Sequence, residues 1–356
     1  MTKTLHHNTF MRRAYQLADY ATNEVKTNPK VGAVLVYKDI IIGEGYHKQF
    51  GSNHAEVNAI NSVKSIDKKY IKDSILYVTL EPCCFYGKTP ACTDLIIKNQ
   101  IKIVVVDQLD PNPKVSGKGL EILRNNDVQV ILLSEFHNKT TLYPFYATQS
   151  KRPYIILKWA SSKDNKIGAK HERLNISNPL SNVYTHYLRS SVDGIVIGSN
   201  TLSIDSPKLN TRYIKGSSPI RIVLGNNTNN RFKDELNTDI YVGNHLKNKY
   251  KNSINIDSYL INDVLRALYD KGIYSLLIEG GKKILQSFIK ENVWDEAIVI
   301  KSKNSISDSV QELVSSPFIQ GKLINTIELG NDSIYKIKNG DICFHMPPNI
   351  EQNDNF

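Results

Sequence analysis

The sequence predicts a layered α/β protein built as two successive domains, and three observations carry that expectation. The chain has 356 residues, more than one ordinary hydrophobic core organises. Its first half alternates strand-like and helix-like segments, the pattern of helices layered on a sheet. From Glu135 to Lys151 the pattern loosens into polar and aromatic residues, and a strand restarts after Lys151-Arg152-Pro153. The boundary is placed there. Domain one covers 1–148, domain two covers 151–346, and 347–356 read as a frayed tail.

Taken in order, Phe10 to Val25 carries Ala14, Leu17, Ala18 and Ala21 at helical spacing. Val31 to Tyr37 and Ile40 to Tyr46 flank Lys38-Asp39 and read as a hairpin. A helix is expected from near His54, through Ala55, Val57, Ala59 and Ile60. Ser74 to Leu80 reads as a buried strand, and Cys92 opens a helix through Leu95, Ile96 and Ile97. Ile101 to Asp107 and Val128 to Leu133 supply two more strands. In the second half, strands are expected at Tyr154–Trp159, Gly194–Gly198, Ile220–Leu224 and Ser275–Glu279. Ala297–Lys301 and Ile334–Met346 read as late antiparallel strands. No internal repeat relates the halves.

Composition narrows the function. Hydrophobic residues make up 40% of the chain, which suits a globular protein. No apolar run approaches the roughly 20 residues that span a bilayer, and the first residues lack a secretion signal. A cytoplasmic enzyme without membrane partners is expected. The net charge of +10 comes from scattered lysines rather than a cluster, which suits small phosphorylated substrates and argues against a nucleic-acid partner. Cys83, Cys84, Cys92 and Cys343 do not form a disulfide framework. Three of them fall within ten positions, as a metal or redox site would require. Cys343, in Ile342-Cys343-Phe344, reads as a buried strand residue.

His54-Ala55-Glu56, Pro82-Cys83 and Cys92 carry the chemistry. One imidazole and two thiolates make a three-ligand zinc site with a fourth position open. Glu56, two residues past the histidine, is placed to move protons. This is the arrangement of hydrolytic deaminases, in which zinc makes water nucleophilic and an exocyclic amine is replaced by oxygen. A structural zinc would want Cys84 as fourth ligand, but adjacent cysteines rarely both reach one ion, and Glu56 would then have no role. His54 and both cysteines are expected at or just before helix N-termini. A second motif, Ile278-Glu279-Gly280-Gly281-Lys282-Lys283-Ile284-Leu285, follows a strand and opens a helix. Paired glycines there admit a phosphate to backbone amides, or simply make a tight turn. The motif is not the GxGxxG dinucleotide fingerprint, so a Rossmann domain is not expected.

Asn28-Pro29-Lys30-Val31-Gly32-Ala33, His54-Ala55-Glu56-Val57-Asn58-Ala59, Thr79-Leu80-Glu81-Pro82-Cys83 and Asp110-Pro111-Asn112-Pro113 together resemble the bifunctional riboflavin-biosynthesis deaminase/reductase family. The eight residues between Cys83 and Cys92 match its loop, whereas cytidine and tRNA-adenosine deaminases usually have two. Ala160-Ser161-Ser162-Lys163-Asp164, Gly198-Ser199-Asn200-Thr201, Asp205 to Arg212 and Glu279-Gly280-Gly281 follow its reductase half. The resemblance covers about residues 8 to 346. It implies a cytidine-deaminase-like three-layer α/β/α domain followed by a domain similar to dihydrofolate reductase. It implies zinc on His54, Cys83 and Cys92, with Glu56 as proton shuttle and Asn28, His47 and Lys88 near the pyrimidine and its ribose phosphate.

In the second half the resemblance implies NADPH on Ala160, Thr201, Asp205 and the segment Gly281, Lys282, Lys283, Ile284, Leu285, Gln286 and Ser287. Arg189, Leu209, Arg212 and Glu279 would hold substrate, arginine suiting a phosphate through its two parallel donors. The implied reactions are deamination of 2,5-diamino-6-(5-phosphoribosylamino)pyrimidin-4-one, then NADPH-dependent reduction of the ribosyl chain to ribityl, in a homo-oligomer. Four departures bear on either activity. Cys84-Phe85-Tyr86 replaces the family's Ser-His after the first cysteine, Asn165 replaces a glycine, Asn175 a tryptophan and Gly225 an aspartate. Asparagine at 165 still tolerates a positive φ. Two other readings stay open: a nucleic-acid-editing deaminase with an accessory domain, and a deaminase whose reductase half is inactive.

Overall fold

The computed structural model describes residues 2–26, 28–87, 89–112, 115–136, 150–170, 174–225, 232, 234–244, 246, 252–256, 260–306 and 309–340. The chain divides into two compact units, Met1–Gln149 and Ser150–Phe356. Cys343, the residues beyond 340 in the last expected strand, and the expected tail at 347–356 lie outside the described residues.

The first unit is built from α1 (Thr2–Ala18), β1 (Gly32–Tyr37), β2 (Ile40–Tyr46), α2 (Ala55–Asn61), β3 (Ile75–Leu80), α3 (Cys92–Lys98), β4 (Ile103–Gln108), α4 (Lys118–Asn125) and β5 (Gln129–Leu132). The strands form one sheet in the order β2-β1-β3-β4-β5, with β1 antiparallel to β2 and β3 and the remaining pairs parallel. Alternation within strands creates the layers. Val34, Val36, Tyr77 and Val105 pack against Phe10, Met11, Ala14 and Leu17 of α1. Ala33, Leu35, Leu76, Val78, Val104 and Val106 pack on the other face with Ala55, Ala59, Ile96, Leu120 and Leu123 of α2, α3 and α4. At Gly32 a Cβ would lie 1.9 Å from the Ala14 carbonyl oxygen, so only glycine lets α1 sit this close to β1.

The first helix differs from the sequence expectation at both ends. It starts at Thr2 and stops at Ala18, and Asn23–Val25 forms a separate 3-10 turn. The Thr22 hydroxyl accepts the Glu24 N–H and starts that turn afresh. The apolar period read from Phe10 to Val25 therefore spans two elements.

The second unit contains β6 (Tyr154–Ser161), β7 (Lys166–Ala169), α5 (Pro179–Ser190), β8 (Gly194–Gly198), α6 (Ser199–Asp205), β9 (Ile220–Leu224), β10 (Ile240–Gly243), β11 (Ser253–Asn255), α7 (Ile261–Asp270), β12 (Ser275–Ile278), α8 (Lys282–Lys290), β13 (Glu296–Ser302), β14 (Leu313–Ser315), β15 (Lys322–Leu329) and β16 (Asp332–Lys338). Nine strands make a sheet ordered β11-β10-β9-β8-β12-β6-β13-β16-β15. It is parallel from β11 to β13, while β16 runs antiparallel to β13 and β15. β13 was expected only as an antiparallel strand, yet it also pairs in parallel with β6 and joins the two halves of the sheet. One sheet face presents Ile155, Leu157, Val196, Leu276, Ile278 and Val299 to Leu265 and Leu268 of α7 and Leu285 and Phe288 of α8. The parallel strands deliver their carboxyl ends to one edge, where ligands bind in open α/β sheets.

Candidate active sites

In the first unit His54 caps the N-terminus of α2, with extended backbone, and Cys92 is the first residue of α3. Cys83 lies in the loop after β3 rather than before a helix of its own, but its Sγ accepts the Cys92 N–H at 3.3 Å. It therefore still meets the amide end of α3. His54 Nδ1 is 3.5 Å from Cys83 Sγ and 3.3 Å from Cys92 Sγ, and the three ligand atoms lie within 4.8 Å of one another. Around a tetrahedral zinc, nitrogen and sulfur ligands stand about 3.6 Å apart, given the usual bond lengths. The donor set and its spacing fit the ion. Cys84 is not part of this cluster.

Glu56 follows on the first turn of α2 and is 3% exposed. Burial pushes its carboxyl above the ordinary range, with His54 opposing. The hydrogen bond from Cys92, against the cost of burial and with help from His54, draws the Cys83 thiol well down. His47, also buried, donates from Nδ1 to the Asn53 carbonyl at 3.0 Å, which leaves Nε2 to accept from the Asn28 amide at 3.0 Å. Its ring meets that of His54 edge-on, with centroids 5.4 Å apart. Asn28, His47, His54, Cys83 and Cys92 are thus contiguous, while Lys88 lies outside the described residues. Phe85 and Tyr86, the departures in the loop between the cysteines, are 51% and 78% exposed.

Sequence reading missed Glu81. Its buried carboxylate accepts four backbone amides: Asp110 (3.1 Å), Gly117 (2.9 Å), Gly119 (2.8 Å) and Leu120 (3.4 Å). It ties the Asp110-Pro111-Asn112 turn and the start of α4 to the strand that delivers Cys83. A lone glutamate before a proline carries no signal of such a role.

In the second unit Arg189 and Glu279, and Thr201 and Gly281, come together near the carboxyl ends of the parallel strands. Glu279, just past β12, receives Arg189 of α5 through two hydrogen bonds of 2.9 Å, Nε to Oε1 and Nη2 to Oε2. Lys158 of β6, which sequence reading also missed, brings its Nζ to 3.8 Å from the same carboxylate. Arg189 further donates to the Asn210 carbonyl at 3.3 Å, beside Leu209 and Arg212. Leu209 is buried with φ of +53°, a strained backbone for a leucine.

Thr201, on α6, accepts the Gly281 N–H on its Oγ1 at 3.1 Å, and Gly281 caps α8. A Cβ on Gly280 would lie 2.9 Å from Ile284 Cβ, so glycine lets this turn close tightly on the first turn of α8, whose N-terminal amides are the kind of group a pyrophosphate requires. The residues at this edge fit a dinucleotide. Within the expected segment, Lys282 and Ile284 are half-buried, Lys283 and Gln286 are exposed, and Ser287 Oγ donates back to the Ile284 carbonyl at 2.7 Å. Leu285 turns fully into the core. Ala160 and Asp205 are half-buried, and Arg212 is exposed with its guanidinium 4.7 Å over the Tyr213 ring.

The departures have structural counterparts. Asn165 holds φ of +60°, the positive value its replacement of glycine requires, and accepts a hydrogen bond from Lys301 Nζ. Asn175 is exposed. Gly225 has φ of +138°, and a Cβ there would lie 2.5 Å from Ser199 Oγ.

Residues 5–108 match the family model of the cytidine and deoxycytidylate deaminase zinc-binding region, and residues 153–302 match that of the RibD C-terminal domain. The riboflavin biosynthesis protein RibD of Aquifex aeolicus is 36% identical over 307 residues, covering 82% of this chain and 85% of its own. The chain belongs to the RibD family of riboflavin biosynthesis. RibD of Bacillus amyloliquefaciens is 33% identical, covering 81% of this chain and 82% of its own. Among solved structures, a diaminohydroxyphosphoribosylaminopyrimidine deaminase/5-amino-6-(5-phosphoribosylamino)uracil reductase from Thermotoga maritima aligns with a TM-score of 0.80. It is 31% identical and covers 95% of this chain and all of its own. Acinetobacter baumannii RibD aligns with a TM-score of 0.75 at 28% identity, again over 95% of this chain and all of its own. Both α/β domains of the family, the zinc-binding deaminase fold and the reductase fold, are therefore present. No helix among the described residues is long and apolar enough to cross a membrane.

Proposed function

We propose that this chain carries out two consecutive steps of riboflavin synthesis: hydrolytic deamination of 2,5-diamino-6-(5-phosphoribosylamino)pyrimidin-4-one, then NADPH-dependent reduction of the ribosyl chain to give 5-amino-6-(5-phosphoribitylamino)uracil. Residues 1–148 carry the first step and 151–346 the second, with 347–356 a tail. The observation that carries the reading is the convergence of His54, Cys83 and Cys92 beside the buried carboxylate of Glu56.

His54, Cys83 and Cys92 hold the metal, and zinc bound there supplies the Lewis acidity that makes water nucleophilic at neutral pH. Glu56 moves the proton from the attacking water to the leaving amine, its burial raising the carboxyl's affinity for that proton. His47 keeps its Nε2 turned to Asn28, so the two present one ordered polar edge to the pyrimidine, and Lys88 meets the ribose phosphate. In the second half NADPH supplies the hydride. Ala160, Thr201, Asp205 and the segment from Gly281 to Ser287 hold the cofactor, with Gly281 and its neighbours contributing backbone. Arg189, Leu209, Arg212 and Glu279 hold the phosphorylated sugar. Because Arg189 is already engaged by Glu279, the exposed Arg212 is the better placed of the two to take the phosphate. The enzyme works as a cytoplasmic homo-oligomer on a small molecule, without nucleic acid, in keeping with its scattered lysines.

Incubation with the phosphorylated diaminopyrimidine, with and without NADPH, followed by mass spectrometry, tests both steps. Without NADPH the deaminated ribosylamino product accumulates, and with NADPH it is converted to the ribityl product. Deamination that stops at the ribosylamino compound in the presence of NADPH would mean an inactive reductase half.

A further inference from the structure

The segment from Lys208 to Arg212 has no regular structure and includes the strained Leu209; Thr211 is held within its own loop by Ser217 and Ser218, and three side chains of neighbouring elements hold the backbone on either side of it. Arg221 Nη1 donates to the Lys208 carbonyl at 3.3 Å. Arg189 Nη1 donates to the Asn210 carbonyl at 3.3 Å. The third anchor is of the opposite sense: the Arg212 N–H donates to Nδ1 of His186 at 3.0 Å. His186 and Arg189 lie one turn apart on α5, so a single helix face grips the segment at two points. The helix itself is firmly started, since the Asn178 side chain accepts the Ser181 N–H and Pro179 occupies the first turn.

We infer that His186 is a positioning residue for the reductase step, whose Nδ1 fixes the backbone of Arg212 and so aims that guanidinium at the phosphate of the substrate. This rests on the reading above that Arg212 binds substrate. Two observations support it. His186 is 2% exposed, although its contact is to an exposed arginine, so a buried ring is spent on ordering a surface loop. Its ring also lies 4.4 Å from that of Tyr213, which in turn carries the Arg212 guanidinium 4.7 Å from its centroid. The backbone of Arg212 is therefore referred to the imidazole directly, while its guanidinium donates from Nη1 to Asn210 Oδ1 at 3.1 Å and reaches the imidazole only through the Tyr213 ring.

The acceptor role requires an uncharged ring with its proton on Nε2. Burial, followed by the charges of Arg189 and Arg212, pushes the His186 pKa down to about 4, with Lys158 acting in the same direction and Glu279 against it. The ring stays neutral through the physiological range.

The test compares three variants of the full-length enzyme in the reductase step, using 5-amino-6-(5-phosphoribosylamino)uracil and NADPH. His186→Phe keeps the ring and removes the acceptor. His186→Asn removes the ring but keeps an oxygen near the Nδ1 position. Arg212→Met removes the phosphate contact itself. His186→Phe is expected to raise KM for the uracil substrate about tenfold, the size of one net hydrogen bond, with kcat and the fluorescence-measured Kd for NADPH unchanged. His186→Asn restores most of the lost KM, and Arg212→Met raises KM at least as much as His186→Phe.

An unchanged KM in His186→Phe, beside a raised one in Arg212→Met, overturns the inference and leaves the substrate reading standing. An unchanged KM in Arg212→Met removes that reading and the inference with it. Failure of His186→Asn to recover KM assigns His186 to packing and also overturns it. Should His186→Phe not fold, as judged by NADPH binding, His186→Gln takes its place. Its amide oxygen lies nearer Nε2 than Nδ1, and the same rise in KM is required.

Discussion

Arg189 and Glu279 face each other through two parallel hydrogen bonds of equal length, 2.9 Å, inside a site where both side chains are about nine-tenths buried. Lys158 adds a second cation to the same carboxylate. Burial pushes the Glu279 carboxyl up, but the charges of Arg189 and Lys158 outweigh it and hold it down at about 2.

Glu279→Gln leaves Arg189 and Lys158 buried without a counter-charge, and the expected loss is about 3–5 kcal/mol of stability, read by urea unfolding at pH 7. The parent protein shows the same coupling in its pH dependence. A carboxylate with a depressed folded-state pKa contributes fully above its unfolded value, near 4.3, and loses that contribution as pH falls towards about 2. Parent stability should therefore decline across that window, and Glu279→Gln should lack this component of the decline. Equal slopes for the two proteins would refute the assignment.

Glu81 makes a comparable arrangement out of backbone. Glu81→Gln turns one of its acceptor oxygens into a donor that faces amides of Asp110, Gly117, Gly119 or Leu120. One buried donor pair left unmatched costs about 1–3 kcal/mol. The Asp110–Asn112 turn loosens next to Cys83, so ammonia release should show a higher KM for the diaminopyrimidine, while the NADPH-dependent step on the uracil substrate keeps its rate.

The metal trio and Glu56 separate by elemental analysis. Glu56→Gln retains one zinc per chain and loses about 10²- to 10⁴-fold in ammonia release, the usual contribution of a placed proton carrier. Cys83→Ala loses both zinc and deamination. NADPH oxidation with the uracil substrate continues in each variant. A Glu56→Gln protein with undiminished turnover would strip the residue of its role.

What could be read from the sequence depended on how each residue acts. The grouping of His54, Cys83 and Cys92 was legible because residue type and spacing point to one cluster, and the hairpin of β1 and β2 because two apolar runs flank Lys38-Asp39. At Asn165 the glycine that the resemblance implies, together with asparagine's tolerance of a positive φ, was enough, and the observed φ of +60° agrees. Glu81, Lys158 and His186 were missed because each works through partners 26 to 121 positions away, or through backbone amides that any sequence supplies. The strands β10, β11 and β15 were missed for another reason: the first two are four and three residues long, and β15 is largely exposed, so none offers a full apolar period. The extent of α1 was misjudged because its first turns carry polar residues, while Ala21 and Val25, which extend the period, lie past its end at Ala18.

Gly225 gives the last prediction, and it concerns a departure from the family rather than a shared feature. At φ of +138° a non-glycine residue is strained, and a Cβ would stand 2.5 Å from Ser199 Oγ and 3.1 Å from Ser199 Cβ. Restoring the family's aspartate by Gly225→Asp should therefore destabilise this chain, by about 1–3 kcal/mol for the backbone alone. Adding Ser199→Gly relieves the steric part and not the strain, so the double variant should recover only a fraction of the lost Tm. Full recovery would show the clash to be the whole cost. A Gly225→Asp protein as stable as the parent would mean that the β9 end relaxes to a different backbone when glycine is absent, and that the departure at this position is neutral for the fold.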